Sequence, residues 1–306
     1  MDVLHLSYYY DTQHSIGKIV HNIKTNCKLE QDNISLPESP DNLIKKINEL
    51  KPKILHLHFN SILDLSIVLK RLDYKPILIQ TLHGNVESKY SKIMDKIICI
   101  HQPCYDRNDR AKSVIIENTV QVPIHEQIGE GSICSTFRFV TERVNKQIIQ
   151  AYEKINGDVN LYGAFGEPDL ARVQKFVSPK SNVILKPWEV NVEKLFCNYK
   201  IYTFYLNEEI NHKDYCYGLS VMEAAAGGIP TVVIKRNQSF QKYVIDGYNG
   251  FIVSTEEEFV EACNRLISDT KLFLQIKRNA VDHAKTIRNC MPELYEKIYL
   301  ELLNEF

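Results

Sequence analysis

Short runs of β-branched and aliphatic residues alternate with helix-period runs along almost the whole chain. That alternation is the pattern of βαβ units, whose strands pair in parallel, and it predicts the α/β class. In the first part the strand candidates are residues 3–9, 54–59, 76–82, 96–100 and 113–116, separated by helical runs such as 43–50 and 62–72. A second series follows at 133–139, 159–162, 183–185, 200–205, 231–234 and 250–253, with helices at 145–155, 170–176 and 219–226. A chain of 306 residues is long enough for about two domains with separate cores. Residues 121–132 divide the two series, because Pro123, Gly129 and Gly131 interrupt any periodicity there. The expected organisation is one Rossmann-like domain over 1–125, a second over 126–286, and a final helix, 287–306, packing back on the first. Two facing parallel sheets would place their strand carboxyl ends, and so the binding loops, in a cleft between the domains.

Composition narrows the function classes. Hydrophobic residues are 44% and charged residues 25%, an ordinary globular mixture that excludes fibrous or disordered chains. Lys and Arg total 37 against 38 Asp and Glu, so a nucleic-acid partner is not favoured. No apolar run approaches the about 18 residues of a membrane helix, and the amino terminus lacks a signal peptide's basic and apolar regions. The expectation is a cytoplasmic protein. The run 18–28 carries Lys18, His21, Lys24 and Lys28 on one helix face, which suits either solvent or peripheral contact with the inner face of a membrane. Eight cysteines occur without any CxxC pair, which points to reduced, mostly buried thiols.

The most informative segment is 217–234, YGLSVMEAAAGGIPTVVI. Gly218 permits a tight turn, 219–226 forms two helical turns, Gly227 and Gly228 end them, and Pro230 leads into an apolar strand. The free amides around Leu219, Ser220 and Val221, backed by the helix dipole, make a diphosphate cradle. Glu223 lies one turn in, where a carboxylate can accept two hydrogen bonds from a ribose diol. The same pattern also suits an ordinary buried helix with a solvated Glu. Arg138 and Arg143 follow the strand at 133–139, at a spacing suited to a diphosphate or to solvent.

Eight of the ten histidines fall in the first 125 residues. His56 and His58 alternate on a strand and share one face, either as hydrogen-bonded sheet residues or as catalytic groups. His83 ends the next strand before Gly84. His5 and His21 carry no assignment. No convergent histidine spacing and no D-x-D pair is visible, so no metal is expected. Tyr8, Tyr9 and Tyr10 end the first strand, where aromatic rings can stack on a sugar or pack internally.

The segment 217–234 resembles the donor-binding signature of the retaining GT-B glycosyltransferases of family four, the glycosyl transferases group 1. The family run is E-G-F-G-L-x-x-x-E-A-M-A-x-G-x-P-V-V, followed by D-G-x-N-G-x-L-V. Here stand Gly218, Leu219, Ser220, Glu223, Ala224, Ala226, Gly228 and Pro230, then Asp246, Gly247, Asn249, Gly250 and Val253. Weaker echoes keep the family's order: Gly17 in an early glycine loop, Gln80-Thr-Leu-His-Gly84 for T-x-H-G, and Leu161-Tyr-Gly-Ala-Phe-Gly166 for a V-G-x-G turn. Arg138 and Arg143 stand where the family has G-R-x-x-x-x-K, with arginine in the place of the lysine. The chief departure is Tyr215, where the family places its first glutamate; Asp214 is its neighbour, and Glu208 and Glu209 share the loop.

The resemblance implies a metal-independent, retaining transferase with no cofactor, moving a sugar from a nucleotide donor, UDP-linked by family frequency, to an acceptor hydroxyl. It implies catalytic roles for His83, Arg138 and Arg143, and donor contacts from Gly17, Gly163, Asp214, Tyr215, Gly218, Leu219, Ser220 and Glu223. The acceptor is unidentified; a glycan or glycoconjugate is favoured. A GT-B-fold sugar-nucleotide epimerase, or a catalytically silent module that binds a nucleotide sugar or a partner enzyme, are the alternative expectations.

Overall fold

The computed structural model describes residues 1–8, 15–36, 38–60, 64–140, 143–164, 166–189, 191–205, 218–235 and 242–305. The chain divides into two compact units, one of Met1–Thr119 with Asn289–Phe306, the other of Val120–Arg288.

In the first unit the strands are β1 (Val3–Ser7), β2 (Gln31–Ser35), β3 (Ile54–Leu57), β4 (Ile77–Leu82), β5 (Lys96–Cys99) and β6 (Ser113–Ile115). They form one sheet in the order β2-β1-β3-β4-β5-β6, and every pair is parallel. The helices are α1 (Ser15–Asn26), α2 (Pro40–Leu50), α3 (Leu65–Lys70) and α4 (Gln102–Tyr105). The inner strands β1, β3 and β4 are buried throughout. Such strands are mostly aliphatic because helices cover both sheet faces, and the buried polar residues within them are His5, Ser7, His56, Gln80 and Thr81. One strand was missing from the sequence expectation. Strand β2 reads Gln-Asp-Asn-Ile-Ser, and only Ile34 is buried. Its polar composition is tolerated because it lies at the sheet edge, paired on one side alone.

The second unit contains β7 (Gly131–Thr136), α5 (Lys146–Glu153), β8 (Val159–Ala164), α6 (Glu167–Gln174), β9 (Val183–Pro187), α7 (Val192–Asn198), β10 (Tyr199–Phe204), α8 (Leu219–Ala226), β11 (Thr231–Ile234) and β12 (Gly250–Val253), then α9 (Glu256–Ser268) and α10 (Thr270–Ala284). Its six parallel strands run β12-β11-β10-β7-β8-β9. The first strand of this unit therefore sits mid-sheet, and the connections reverse direction between β7 and β10. Such a reversal leaves a crevice at the strand carboxyl ends, the usual ligand position of an open α/β sheet. Asp269 separates α9 from α10, and its carboxylate accepts from Leu272 N at 2.9 Å as the cap of the second helix.

The segment 121–132 belongs to the second unit. His125 N–H donates to Gly227 O at 2.9 Å, and buried Lys277 donates from Nζ to His125 O at 2.5 Å and Gly228 O at 2.9 Å. Burial pushes the Lys277 ammonium down to about 8. The final helix, α11 (Met291–Glu305), belongs to the first unit, where Tyr295 and Tyr299 are fully buried. Cys27, Cys99, Cys104, Cys134 and Cys263 are buried free thiols, Cys197 and Cys290 are exposed, and Cys216 lies outside the described residues. Among the described residues no helix is long and apolar enough to cross a membrane.

Candidate functional site

In the second unit the candidate residues gather at the carboxyl ends of β8, β7 and β10, three neighbouring strands. Arg138 follows β7, Gly163 lies near the end of β8, and α8 begins after β10. Gly163 is required there. A Cβ at that position would collide with the Phe137 carbonyl oxygen, so glycine is what lets the extension of β7 run this close alongside β8. At the start of α8, Gly218 has φ 60° and ψ 48°, the left-handed conformation that a residue with a side chain rarely adopts. Among the described residues no side chain caps this helix; the expected Val221 amide is not free, since Val221 N and Met222 N donate to Gly218 O at 2.8 and 3.2 Å, and the uncapped amides are those of Leu219 and Ser220.

Ser220 is tied into the sheet. The Tyr202 hydroxyl donates to Ser220 Oγ at 2.7 Å and is bonded to Thr136 Oγ1 at 2.9 Å. Tyr202 has a single hydroxyl hydrogen, so Thr136 is the donor in the second bond. Ser220 then accepts from Tyr202 and keeps its own hydrogen for an outside acceptor. The same bonds join the end of β7, two residues before Arg138, to the first turn of α8. Burial holds the Tyr202 phenol well above its ordinary range and therefore protonated as a donor.

Arg138 is exposed and Arg143 half-buried, and neither has an acidic partner among the described residues. Glu223 is buried, at 5% exposure, on the second turn of α8. Leu219 is half-buried at the first position of the helix. Asp214 and Tyr215, with Glu208 and Glu209, lie outside the described residues, as do Tyr9 and Tyr10. Tyr8 is exposed.

In the first unit the structure brings together histidines that are far apart in sequence. Strands β1 and β3 are adjacent with His5 opposite His56, and His58 follows two residues on from His56. His83 follows β4, the next strand. His5 Nε2 is 2.8 Å from Gln31 Oε1, His5 Nδ1 is 2.9 Å from His58 Nε2, and His58 Nδ1 is 3.0 Å from His83 Nε2. A side branch links His56 Nδ1 to Tyr299 OH at 2.7 Å and His56 Nε2 to Thr81 Oγ1 at 2.8 Å, with Thr81 bonded to Tyr295 OH at 3.0 Å. Burial pushes His5 and His83 down to about 4 and holds His56 and His58 well below the ordinary imidazole range.

Both expected sheet histidines are hydrogen-bonded, His58 to His5 and His83 and His56 to Tyr299 and Thr81, and His5, which had no assignment, heads the row. Gly17 is buried in the first turn of α1. Lys24, on the basic face of that helix, bonds Asn33 Oδ1 at 2.6 Å and lies 3.4 Å from the Asp32 carboxylate. Donor atoms of His5, His56 and His58 lie within 4.8 Å of one another, a convergence created by strand pairing and invisible in the sequence.

Residues 133–283 match the family described as Glycosyl transferases group 1. A search of curated proteins returned no match. Among solved structures the chain is similar to HepE of Anabaena, determined with UDP and glucose, at 13% identity over 100% of each chain and a TM-score of 0.75. It is also similar to a sucrose-phosphate synthase from Thermosynechococcus elongatus, at 13% identity, 100% of each chain and a TM-score of 0.68. The pneumococcal O-GlcNAc transferase GtfA, determined with UDP and GlcNAc, matches 85% of this chain and 60% of its own at 15% identity and a TM-score of 0.64. With two Rossmann-like domains in the GT-B architecture and a Glycosyl transferases group 1 domain over residues 133–283, this chain is an enzyme of the glycosyltransferase class.

Proposed function

We propose that the protein is a retaining, metal-independent glycosyltransferase that moves a sugar from a UDP-sugar to a hydroxyl of a glycan or glycoconjugate. The observation that carries this reading is the group at the reversal of the second sheet: an uncapped α8 amino terminus behind a left-handed Gly218, with Arg138 on the adjoining strand end. The α8 amides and the Ser220 hydroxyl bind the donor diphosphate, and Arg138 and Arg143 offset the negative charge that builds on UDP as it departs. Glu223 accepts from the ribose hydroxyls. His83 contacts the donor sugar. UDP is favoured because HepE and GtfA were both determined with it.

Retention follows from the family resemblance. Front-face attack, with a donor phosphate oxygen taking the acceptor proton, needs no protein nucleophile. Arginine and amide donors replace the charge stabilisation that a divalent ion would otherwise give. The test is turnover of UDP-glucose and UDP-GlcNAc over an acceptor panel in the presence of EDTA, with product configuration read by NMR. The α-configured product from an α-linked donor, formed at an undiminished rate in EDTA, is expected. A β-configured product contradicts retention, and loss of turnover that added Mg²⁺ or Mn²⁺ restores contradicts metal independence.

A further inference from the structure

The histidine row of the first unit leaves one ring nitrogen over. Of the eight in His5, His56, His58 and His83, only His83 Nδ1 has no partner among the described residues. His83 is also the only one of the four rings that is not fully buried. A neutral imidazole has one N–H and one bare nitrogen, so two rings bonded nitrogen to nitrogen must agree on a direction. Three rings in series have two self-consistent arrangements. The group at the closed end selects between them.

Gln31 Oε1 faces His5 Nε2, and an amide oxygen accepts only. His5 therefore carries its proton on Nε2 and offers Nδ1 to His58 Nε2–H. His58 in turn offers Nδ1 to His83 Nε2–H, and His83 is left with a bare Nδ1. We propose that Gln31, His5 and His58 are positioning residues that fix the tautomer of His83, holding its open nitrogen as a hydrogen-bond acceptor. The ring planes suit a series of this kind, with 5.2 Å and 26° between His58 and His83.

A metal ion is the other use for such a cluster, and the surroundings disfavour it. The groups bonded to His5, His56 and His58 are an amide, two hydroxyls and another imidazole, with no carboxylate or thiolate to offset a buried divalent charge. The hydrogen bonds already occupy every nitrogen that an ion would need.

The consequence for substrate is selectivity for a donor hydroxyl over a bare acceptor atom facing His83. That use rests on His83 being a sugar contact, as proposed above; the tautomer itself does not. The experiment is a long-range nitrogen–proton correlation spectrum of the full chain with ¹⁵N-labelled histidine, assigned by single His variants, for wild type, Gln31→Leu and Gln31→Glu. Gln31 is half-buried on the edge strand, so both variants should fold, with the thermal melt as the check.

Wild-type His83 is expected with Nε2 protonated and Nδ1 bare. Gln31→Leu should mix the two tautomers, and Gln31→Glu, an acceptor only, should restore the single one. A protonated Nδ1 on wild-type His83, or a His83 signal unmoved in Gln31→Leu, overturns the proposal. Titration of the same proteins with UDP and UDP-glucose separates the two readings. If Gln31→Leu shifts the tautomer and selectively weakens UDP-glucose, both stand. If it shifts the tautomer and leaves both affinities unchanged, the positioning role stands and the sugar-contact role of His83 falls.

Discussion

Arg138→Ala is expected to lower UDP-sugar turnover by about two to three orders of magnitude, the usual cost of deleting one donor that stabilises developing negative charge. The melting temperature should barely move. Arg138 is exposed and has no acidic partner among the described residues, so truncating it breaks no ion pair and opens no cavity. The chain around it is held by the backbone, with Val140 N donating to Arg138 O at 2.8 Å, a bond indifferent to the side chain. Arg138→Lys should fall between, because lysine keeps the charge and loses the two-pronged phosphate geometry. The assay is initial-rate kinetics beside a thermal melt. Unchanged turnover in Arg138→Ala would remove Arg138 from the mechanism.

Acidification should destabilise the first unit through its buried histidines. His5 is neutral in the folded chain, with its pKa depressed from 6.5 to about 4 by burial, opposed by its bond to Gln31. The unfolded chain then binds more protons between those values, so the contribution is full above pH 6.5 and is lost as pH falls toward 4. From His5 alone the loss is about 2 kcal/mol by pH 5 and about 3 kcal/mol by pH 4. Of the charged groups that act on His5, Lys24 lowers its pKa further and Asp32 raises it. His56, His58 and His83 shift in the same direction and add to the slope. Urea midpoints from pH 7 to 5, above the main carboxylate range, isolate the histidines. His5→Gln should flatten the curve, and a wild-type midpoint constant over that range would contradict the buried neutral row.

What could be read in advance depended on how local the signal was. The inner strands were legible because a strand covered on both faces is mostly aliphatic, as in the Ile-Leu-Ile opening of Ile77–Leu82. The edge strand Gln31–Ser35 was not, since one-sided pairing relaxes that demand and its composition looks like a turn. The α8 turn was legible for a related reason: Gly218, the two helical turns and Gly228 act within one continuous stretch.

Non-local partners were hidden. Nothing within the sequence says that β1 lies beside β3, so His5 had no visible connection to His56 and His58. Tyr202, which joins Thr136 to Ser220, drew no notice in the sequence because its hydroxyl partners come from two other elements. Tyr295 and Tyr299 sit on the last helix of the chain yet complete a hydrogen-bond branch of the first unit's sheet. Sequence periodicity gives the face of an element, and only the sheet register says which faces meet.

Under the proposed function, the second unit binds the diphosphate of a UDP-sugar at the α8 amino terminus and Arg138. The most direct test is a calorimetric titration of UDP into the purified chain in EDTA, with Arg138→Ala in parallel. Saturable binding to wild type is expected, weakened in Arg138→Ala by about tenfold or more, equivalent to about 1.4 kcal/mol. A folded wild-type protein that binds neither UDP nor UDP-glucose, or that binds UDP equally well without Arg138, would contradict it.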